Sequence, residues 1–349
     1  MKIEEIFTFE NLVAAHKLCR LSKQHKRGTI MFEIELGRNV TNLVKQLTAR
    51  TYRLSPYRSF TIYDPKKRLI EALPYKDRVV LMCFCQHSVA PRLERHLIYD
   101  NAASRKEKGT HFAVERLHSF MRKLYIKNKT NRIYFLKCDI RKYFQSINHE
   151  ILLELLAKAG FSADETWFLR MIIESHGSIG LPLGNQTSQW FALLYLNGMD
   201  RLIKERLRMP YYVRYMDDFV ILSEDKAKLQ LCRKQIDEYV KGLKLSLNQK
   251  TQIGLLSDGI DFLGFNHKLS ATGKIIKSLR GSAKSRQRKY LKTIRHYYLN
   301  DVLDDEYLDV RLASYRGHLK GTKNWIHISN RLASLKREKR HTKKFVAEQ

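Results

Sequence analysis

The sequence predicts an α+β fold in which helices surround an antiparallel sheet, and three observations lead to that expectation. Residues 133 to 139 alternate Tyr134, Leu136 and Cys138 with Phe135 and Lys137, the period-two pattern of a strand, and deliver Asp139 at its end. Two more β-rich runs, Tyr211 to Tyr215 and Phe219 to Leu222, flank Met216-Asp217-Asp218 and read as a hairpin with a carboxylate pair at its tip. Helical periodicity lies between these strands. Asn148 offers an N-cap, Ile151, Leu152, Leu155 and Leu156 form an apolar stripe, and Gly160 closes it. A second helix is expected from Thr187 to Leu207, entered from the loop Gly180-Leu181-Pro182-Leu183-Gly184-Asn185 and buried through Trp190, Phe191, Leu194 and Met199.

With 349 residues, 44% of them hydrophobic, the chain can bury a substantial core as one large or two to three small subdomains. No internal repeat, low-complexity tract or Pro/Gly/Ser linker divides it, so the subdomains are expected in contact. Sixty-five basic against 35 acidic residues leave a formal charge of +30, which a polyanion would relieve, and nucleic acid is the obvious one. No apolar stretch approaches the roughly 20 residues needed to span a bilayer. The best run is Val79 to Cys85, so no membrane partner is expected. The start, Met1-Lys2-Ile3-Glu4-Glu5, lacks the apolar core of an export signal. Cys19, Cys83, Cys85, Cys138 and Cys232 are odd in number and sit mostly at apolar positions, which suits reduced thiols in the cytoplasm. Cys83-Phe84-Cys85 has no second pair at ligand spacing, so core thiols are expected there and not a zinc site.

Basic residues concentrate between Lys274 and Lys344: Lys284, Arg286, Arg288, Lys289, Lys292 and Arg295, then Arg331, Lys336, Arg337, Lys339 and Arg340. Tyr290, Tyr297, Tyr298, Tyr315 and Trp325 are interleaved with them. The stretch reads as mainly helical, with Arg286, Arg288 and Lys289 tracking a sugar-phosphate backbone and rings available for stacking. A solvated helical face with a frayed tail is the alternative for its last residues.

The strongest chemical signal is Val213-Arg214-Tyr215-Met216-Asp217-Asp218-Phe219-Val220-Ile221-Leu222. Adjacent aspartates between apolar strands repel each other, and strand interiors disfavour Asp. An exposed turn would explain the dipeptide alone. It does not explain the paired strands together with Asp139 at the end of another strand. A divalent cation resolves the conflict, because hard Mg²⁺ takes carboxylate oxygens and keeps positions for water and substrate phosphate. Two such ions about 3.5–4 Å apart would activate an attacking hydroxyl and stabilise a leaving pyrophosphate.

From about Arg68 onward the chain resembles reverse transcriptases, with the motifs in the family's order. Lys67, Arg68 and Pro74-Tyr75-Lys76-Asp77-Arg78-Val79-Val80 look like the fingers segment whose basic residues contact the incoming triphosphate. Asp139-Ile140-Arg141-Lys142-Tyr143-Phe144 matches the first catalytic motif. Leu181-Pro182-Leu183-Gly184-Asn185-Gln186-Thr187-Ser188-Gln189 matches the template-and-nucleotide loop, and Tyr215-Met216-Asp217-Asp218 the metal box. Leu247-Asn248-Gln249-Lys250-Thr251 resembles the next motif, and Phe262-Leu263-Gly264-Phe265 the primer-grip hairpin.

The resemblance implies a right-hand polymerase: an N-terminal region and fingers over 1–135, a palm over 136–270 with finger-side helices at about 150–205, and a basic helical thumb and tail over 271–349. It implies two Mg²⁺ ions, with Mn²⁺ as the alternative, held by Asp139, Asp217, Asp218 and the carbonyl of Ile140. Lys67, Arg68, Arg78, Phe144, Leu183 and Gly184 would line the nucleotide. Lys250 would protonate the leaving pyrophosphate, with an ordinary surface lysine as the alternative. Gln189, Phe262, Leu263 and Gly264 would meet template and primer. Phe144 would lie beneath the incoming sugar, where a bulky ring leaves no room for a 2′-hydroxyl; a core aromatic is its other reading. Template RNA, a DNA primer and deoxynucleoside triphosphates follow as partners.

Two departures from the commoner pattern narrow the resemblance. Leu183 stands where many reverse transcriptases have Gln, and Ser188-Gln189 where they have Ser-Pro. With Arg105-Lys106-Glu107-Lys108-Gly109-Thr110-His111 and Ser314-Tyr315-Arg316-Gly317-His318-Leu319, the chain looks like the enzymes of diversity-generating retroelements. Those copy a template-repeat RNA into cDNA mutated chiefly at adenines, with a small basic accessory protein as partner. Retron, group II intron and other bacterial reverse transcriptases, defence-type ones included, share the palm motifs. Phe144 argues against an RNA-dependent RNA polymerase, and the three carboxylates lend no support to an idle binding module. Neither a ribonuclease H domain nor a His-rich or paired-Cys nuclease signature is expected after Phe265.

Overall fold

The computed structural model describes residues 1–63, 67–319, 322 and 334–339, without the side chains at 312, 314–316 and 318. Trp325, Arg331, Arg340 and Lys344 therefore lie outside the described residues, as do the side chains of Ser314, Tyr315, Arg316 and His318. The strands are β1 (Arg58–Ile62), β2 (Arg68–Ala72), β3 (Tyr134–Cys138), β4 (Tyr212–Tyr215), β5 (Asp218–Ser223), β6 (Gln252–Leu255), β7 (Ile260–Phe262), β8 (Phe265–Leu269) and β9 (Ile275–Leu279). They form a β1-β2 hairpin, a four-stranded sheet in the order β4-β5-β3-β6, and a three-stranded sheet in the order β7-β8-β9. The β1-β2, β4-β5, β7-β8 and β8-β9 pairs are antiparallel. Helices supply the rest, so the α+β expectation holds.

The chain divides into two compact units. The first takes Met1–Ala113, Cys138–Ile221 and Gln230–Gln252; the second takes Val114–Lys137, Leu222–Leu229 and Ile253–Gln349. Phe7, Phe84 and Phe168 meet ring to ring in the first unit, with centroids 4.6–6.0 Å apart. All three are essentially solvent-free. Each such ring removes a large apolar area from water, and this trio ties the N-terminal segment to the helices Tyr75–Phe84 and Ala163–Glu174. In the second unit Phe265 and Leu279 of the three-stranded sheet pack with Ile294 and Tyr298 of the helix Gly281–Leu299 and with Leu308, Leu319 and Leu335.

Local sequence signals act as their chemistry dictates. The Asn148 side chain accepts from the Ile151 amide at 3.1 Å and starts the helix His149–Lys158, which ends before Gly160 at φ +78. Two expectations need correction. The long helix from Thr187 to Leu207 is broken into Gln186–Tyr195, Asn197–Arg201 and a π-helical turn, Leu202–Arg206. The break falls at Leu196; beyond it a Cβ at Gly198 would lie 2.0 Å from the Tyr239 hydroxyl, so glycine suits this close approach, and Asp200 is fully buried. The basic region is also not helical from Lys274: β9 completes the three-stranded sheet before the helix begins at Gly281. Its alternation, Ile275-Ile276-Lys277-Ser278-Leu279, is masked by the surrounding charge.

Candidate active site

All three candidate metal-binding carboxylates belong to the first unit. β4 and β5 register Tyr215 against Asp218, so Met216 and Asp217 form the two-residue turn and Asp218 opens β5. Met216 is left-handed at φ +55, a conformation that strains a residue with a side chain. Only Asp217 therefore occupies the hairpin tip where the sequence suggested a carboxylate pair.

Asp139 follows directly from β3 and is held by a segment more than a hundred residues later. The Asn248 amide donates to the Asp139 carbonyl at 2.7 Å, and its side-chain amide donates to Asp139 Oδ2 at 2.9 Å. The Arg141 amide donates to the Ser246 carbonyl at 2.9 Å, which makes Ile140 and Leu247 an antiparallel pair. Those two backbone bonds use groups of Asp139 and Arg141, so the Ile140 carbonyl is directed away from the partner segment. Asn248 also accepts from the Lys250 amide at 3.1 Å, the Asx-turn geometry, and thereby connects the Lys250 turn to Asp139. Lys250 itself is exposed. In the sequence Asn248 stands out only as part of the segment Leu247-Asn248-Gln249-Lys250-Thr251. An Asn two residues before a Lys, after a β-type run, is the turn signal that marks it.

Burial, the adjacent charge of Asp139, a side-chain hydrogen bond with that carboxyl and the charge of Asp218 together push Asp217 up to about 7. Like charges cannot all ionise in so small a volume without a cation. Among the described residues no three His, Cys, Asp or Glu side chains enclose an ion by themselves. The arrangement is open: the Asp139 and Asp217 carboxyls lie side by side, with Asp218 next to them in the hairpin. Such a donor set fits a hard divalent ion that completes its shell with water and phosphate oxygens.

The expected nucleotide-binding residues all belong to the first unit, and backbone contacts link the segments of Phe144, Leu183, Gly184 and β2. Tyr143 is enclosed and its hydroxyl donates to the Ala192 carbonyl, whereas Phe144 beside it is only half-buried, its ring edge-on to Tyr143 at 5.7 Å. Phe144 thus keeps part of its ring open to solvent. The Leu181 amide donates to the Phe144 carbonyl at 2.7 Å. The same loop reaches β2, where the Glu71 amide donates to the Leu183 carbonyl at 3.2 Å. A Cβ at Gly184, φ +139, would meet the Glu71 carbonyl oxygen at 3.0 Å, so the docking requires glycine. Glu71 also bonds His176 at 2.6 Å, and the Asn185 side chain donates to the Tyr57 hydroxyl at 2.9 Å. Lys67 and Arg68 are exposed at the start of β2. Arg78 lies half-buried over the Tyr75 ring at 5.5 Å. Gln189 accepts from Ser104, and Arg105 forks onto Glu94 at 2.8 and 3.0 Å while donating to the Ile98 and Asn101 carbonyls. Arg105 therefore anchors its own loop.

The second unit carries the candidate primer grip and basic helix. β7 and β8 join through Leu263 and Gly264, left-handed at φ +48 and +88, as a tight two-residue hairpin demands. Phe262 is buried, and the tip is Leu263-Gly264. His267 Nε2 lies 3.3 Å from the Phe262 carbonyl, and His267 Nδ1 lies 2.8 Å from His118 Nε2. Burial holds His118 down at about 3 and His267 at about 4, so both rings are neutral. His267 then donates from Nε2 to the carbonyl and accepts at Nδ1 from His118. Neither histidine was legible as a pair, since they lie 149 residues apart. Arg286, Arg288 and Lys289 are exposed on the helix Gly281–Leu299, whose Gln287, Ile294 and Tyr298 are buried.

Residues 65–267 match the family described as reverse transcriptase (RNA-dependent DNA polymerase). Among solved structures the chain is similar in fold to telomerase from Candida albicans in complex with a fragment of telomeric RNA. The TM-score is 0.52 at 12% identity, over 82% of this chain and 59% of that one. Apo telomerase from Candida tropicalis truncated from its C-terminal domain aligns at 16% identity with a TM-score of 0.49, over 64% of this chain and 56% of that one. The chain thus spans less than two thirds of either telomerase. No curated protein matches it.

Proposed function

Because the chain belongs to the reverse transcriptase (RNA-dependent DNA polymerase) family, we propose that it extends a DNA primer on an RNA template, with Asp139, Asp217 and Asp218 as its metal-binding carboxylates. The observation that carries this reading is the meeting of Asp139, directly after β3, with Asp217 and Asp218 of the β4-β5 hairpin, where partial burial and neighbouring carboxylate charge raise Asp217 and leave a place for compensating positive charge. Two bound Mg²⁺ ions would supply Lewis acidity to the primer hydroxyl and to the leaving pyrophosphate. The chain's own residues do the rest. Asn248 orients Asp139 through two hydrogen bonds. Lys67, Arg68 and Arg78 bind the triphosphate by charge-assisted bonds. Phe144 excludes a 2′-hydroxyl by volume. Lys250 gives a proton to the departing pyrophosphate. Gln189, Leu263, Gly264, Arg286, Arg288 and Lys289 contact template and primer, whereas Phe262, expected among them, is buried and only supports the hairpin tip. All five cysteines are buried thiols outside any disulfide, which suits the cytoplasm. Primer extension on RNA, with and without Asp217→Asn, tests the assignment.

Within the family, our reading is the diversity-generating retroelement type, with a template-repeat RNA and a small basic accessory protein as partners. Leu183 supports it. Its carbonyl holds β2 while its side chain, half-buried at the loop, can make no polar contact to the incoming sugar. A Gln there can hydrogen-bond in a way that tightens only with correct geometry. Losing such a contact narrows the gap between right and wrong insertion, and about 1.4 kcal/mol of that gap is about a factor of ten in fidelity. Frequent misincorporation is therefore expected from the wild type, concentrated opposite template adenines as the family resemblance implies, with roughly tenfold fewer errors in Leu183→Gln. Sequencing cDNA copied from one defined RNA by both proteins measures this. A low wild-type error rate, even across the four template bases, would instead favour the retron, group II intron or defence-type reading.

A further inference from the structure

Arg214, two residues before Met216, is the largest fully buried side chain among the described residues. Its guanidinium forks onto Asp200, Nε to Oδ1 at 2.7 Å and Nη2 to Oδ2 at 2.6 Å. Nη2 also donates to the Leu193 carbonyl at 3.1 Å, and Nη1 donates to the Met216 carbonyl at 2.9 Å. The Tyr212 hydroxyl donates to Asp200 Oδ1 at 2.5 Å. One enclosed cation thus links the helix Gln186–Tyr195, the helix Asn197–Arg201 and the turn that presents Asp217.

Burying this ion pair is a poor route to stability, because desolvating both charges costs about what their attraction returns, and well-packed apolar residues of like volume often do as well. Nor is Arg214 needed to keep β4 in place. Its backbone is already fixed, its amide donating to the Asp100 carbonyl at 3.1 Å and its carbonyl accepting from the Ala102 amide at 2.9 Å. What no apolar side chain can supply is the donor to the Met216 carbonyl. That peptide belongs to a residue held at φ +55, the strained step that swings Asp217 out of the strand. Leu193 and Asp200 brace the guanidinium from behind, so its remaining arm is aimed and not free to swing.

We propose that Arg214, braced by Asp200, is a positioning residue that locks the Met216 peptide and so fixes Asp217 opposite Asp139. The inference rests on the reading of Asp217 as a catalytic carboxylate. It has a sharp consequence: the charged network can be replaced without loss of fold, but not without loss of chemistry.

The test is the triple variant Arg214→Met, Asp200→Leu, Tyr212→Phe, which removes every charge and hydroxyl of the network together, so that no buried charge is stranded and only the Leu193 and Met216 carbonyls lose a donor. Its melting temperature, template-primer affinity and KM for deoxynucleotide are expected to stay near wild type, while kcat falls roughly 10–100-fold from misplacement of the reacting groups. A folded triple variant with wild-type kcat would overturn the proposal. If the triple variant does not fold, Arg214→Lys decides. Its single ammonium cannot bond Asp200, Leu193 and Met216 at once, so kcat is expected to fall with KM unchanged, and a wild-type kcat would again overturn it. A wild-type protein that extends no primer would instead defeat the polymerase reading itself.

Discussion

Asp217→Asn is expected to abolish primer extension, lowering kcat by ~10³-fold or more, equivalent to about 4 kcal/mol of lost transition-state stabilisation. The substitution keeps the shape of the side chain and removes the charge that a divalent ion needs. The fold should not suffer. Asp217 sits on a turn, and burial together with Asp139 makes its ionised form unfavourable in the metal-free protein. Because its folded pKa, about 7, is above the ordinary carboxylate value, the metal-free fold binds the extra proton and loses stability as pH rises through that range. At pH 8 without metal, Asp217→Asn should therefore melt at or above the wild-type temperature while being inactive with Mg²⁺. Thermal melts and single-nucleotide extension on the same preparations measure both. Near wild-type turnover in the variant would remove Asp217 from the chemistry.

The second large effect is expected at Phe144. Its ring is half-buried beside the enclosed Tyr143 and its carbonyl is held by the Leu181 amide, so the backbone stays in place when the side chain is cut back. Phe144→Ala opens room for a 2′-hydroxyl and offers no new partner. Discrimination against ribonucleotides, as the ratio of kcat/KM values, should fall by about 10–100-fold, the range that volume alone commands. Deoxynucleotide incorporation should change far less. Comparing dNTP and rNTP insertion by the two proteins measures it, and an unchanged ratio would mean that Phe144 does not line the sugar.

What was legible in the sequence follows from how far apart the interacting residues are. The strand ending at Asp139, the Asn148 cap and the hairpin around Asp217 rest on local rules of period, capping and turn chemistry, and the structure contains each of them. The residues that hold the site in shape were not legible. Asn248 finds Asp139 across 109 positions, and His118 finds His267 across 149, so neither pair shares a local pattern. Arg214 and Asp200 are close in sequence, yet Asp200 lies beyond the interruption of the helix at Leu196, which no local pattern announced. An uninterrupted helical period would have left Asp200 on an ordinary helix. β9 was hidden for a different reason, since a basic composition drew attention away from a short apolar alternation. The roles of Lys67, Arg68, Arg78 and Lys250 rest on the family, because exposed cations look alike wherever they occur.

The most direct measurement is extension of a labelled DNA primer on a defined RNA template by the purified chain, with deoxynucleotides and Mg²⁺, beside the same reaction in EDTA. Template-length cDNA with Mg²⁺, and none with EDTA or from Asp217→Asn, is the expected result. No extension with Mg²⁺ or Mn²⁺ from a folded protein that binds the primed template, or extension that survives EDTA, would contradict it.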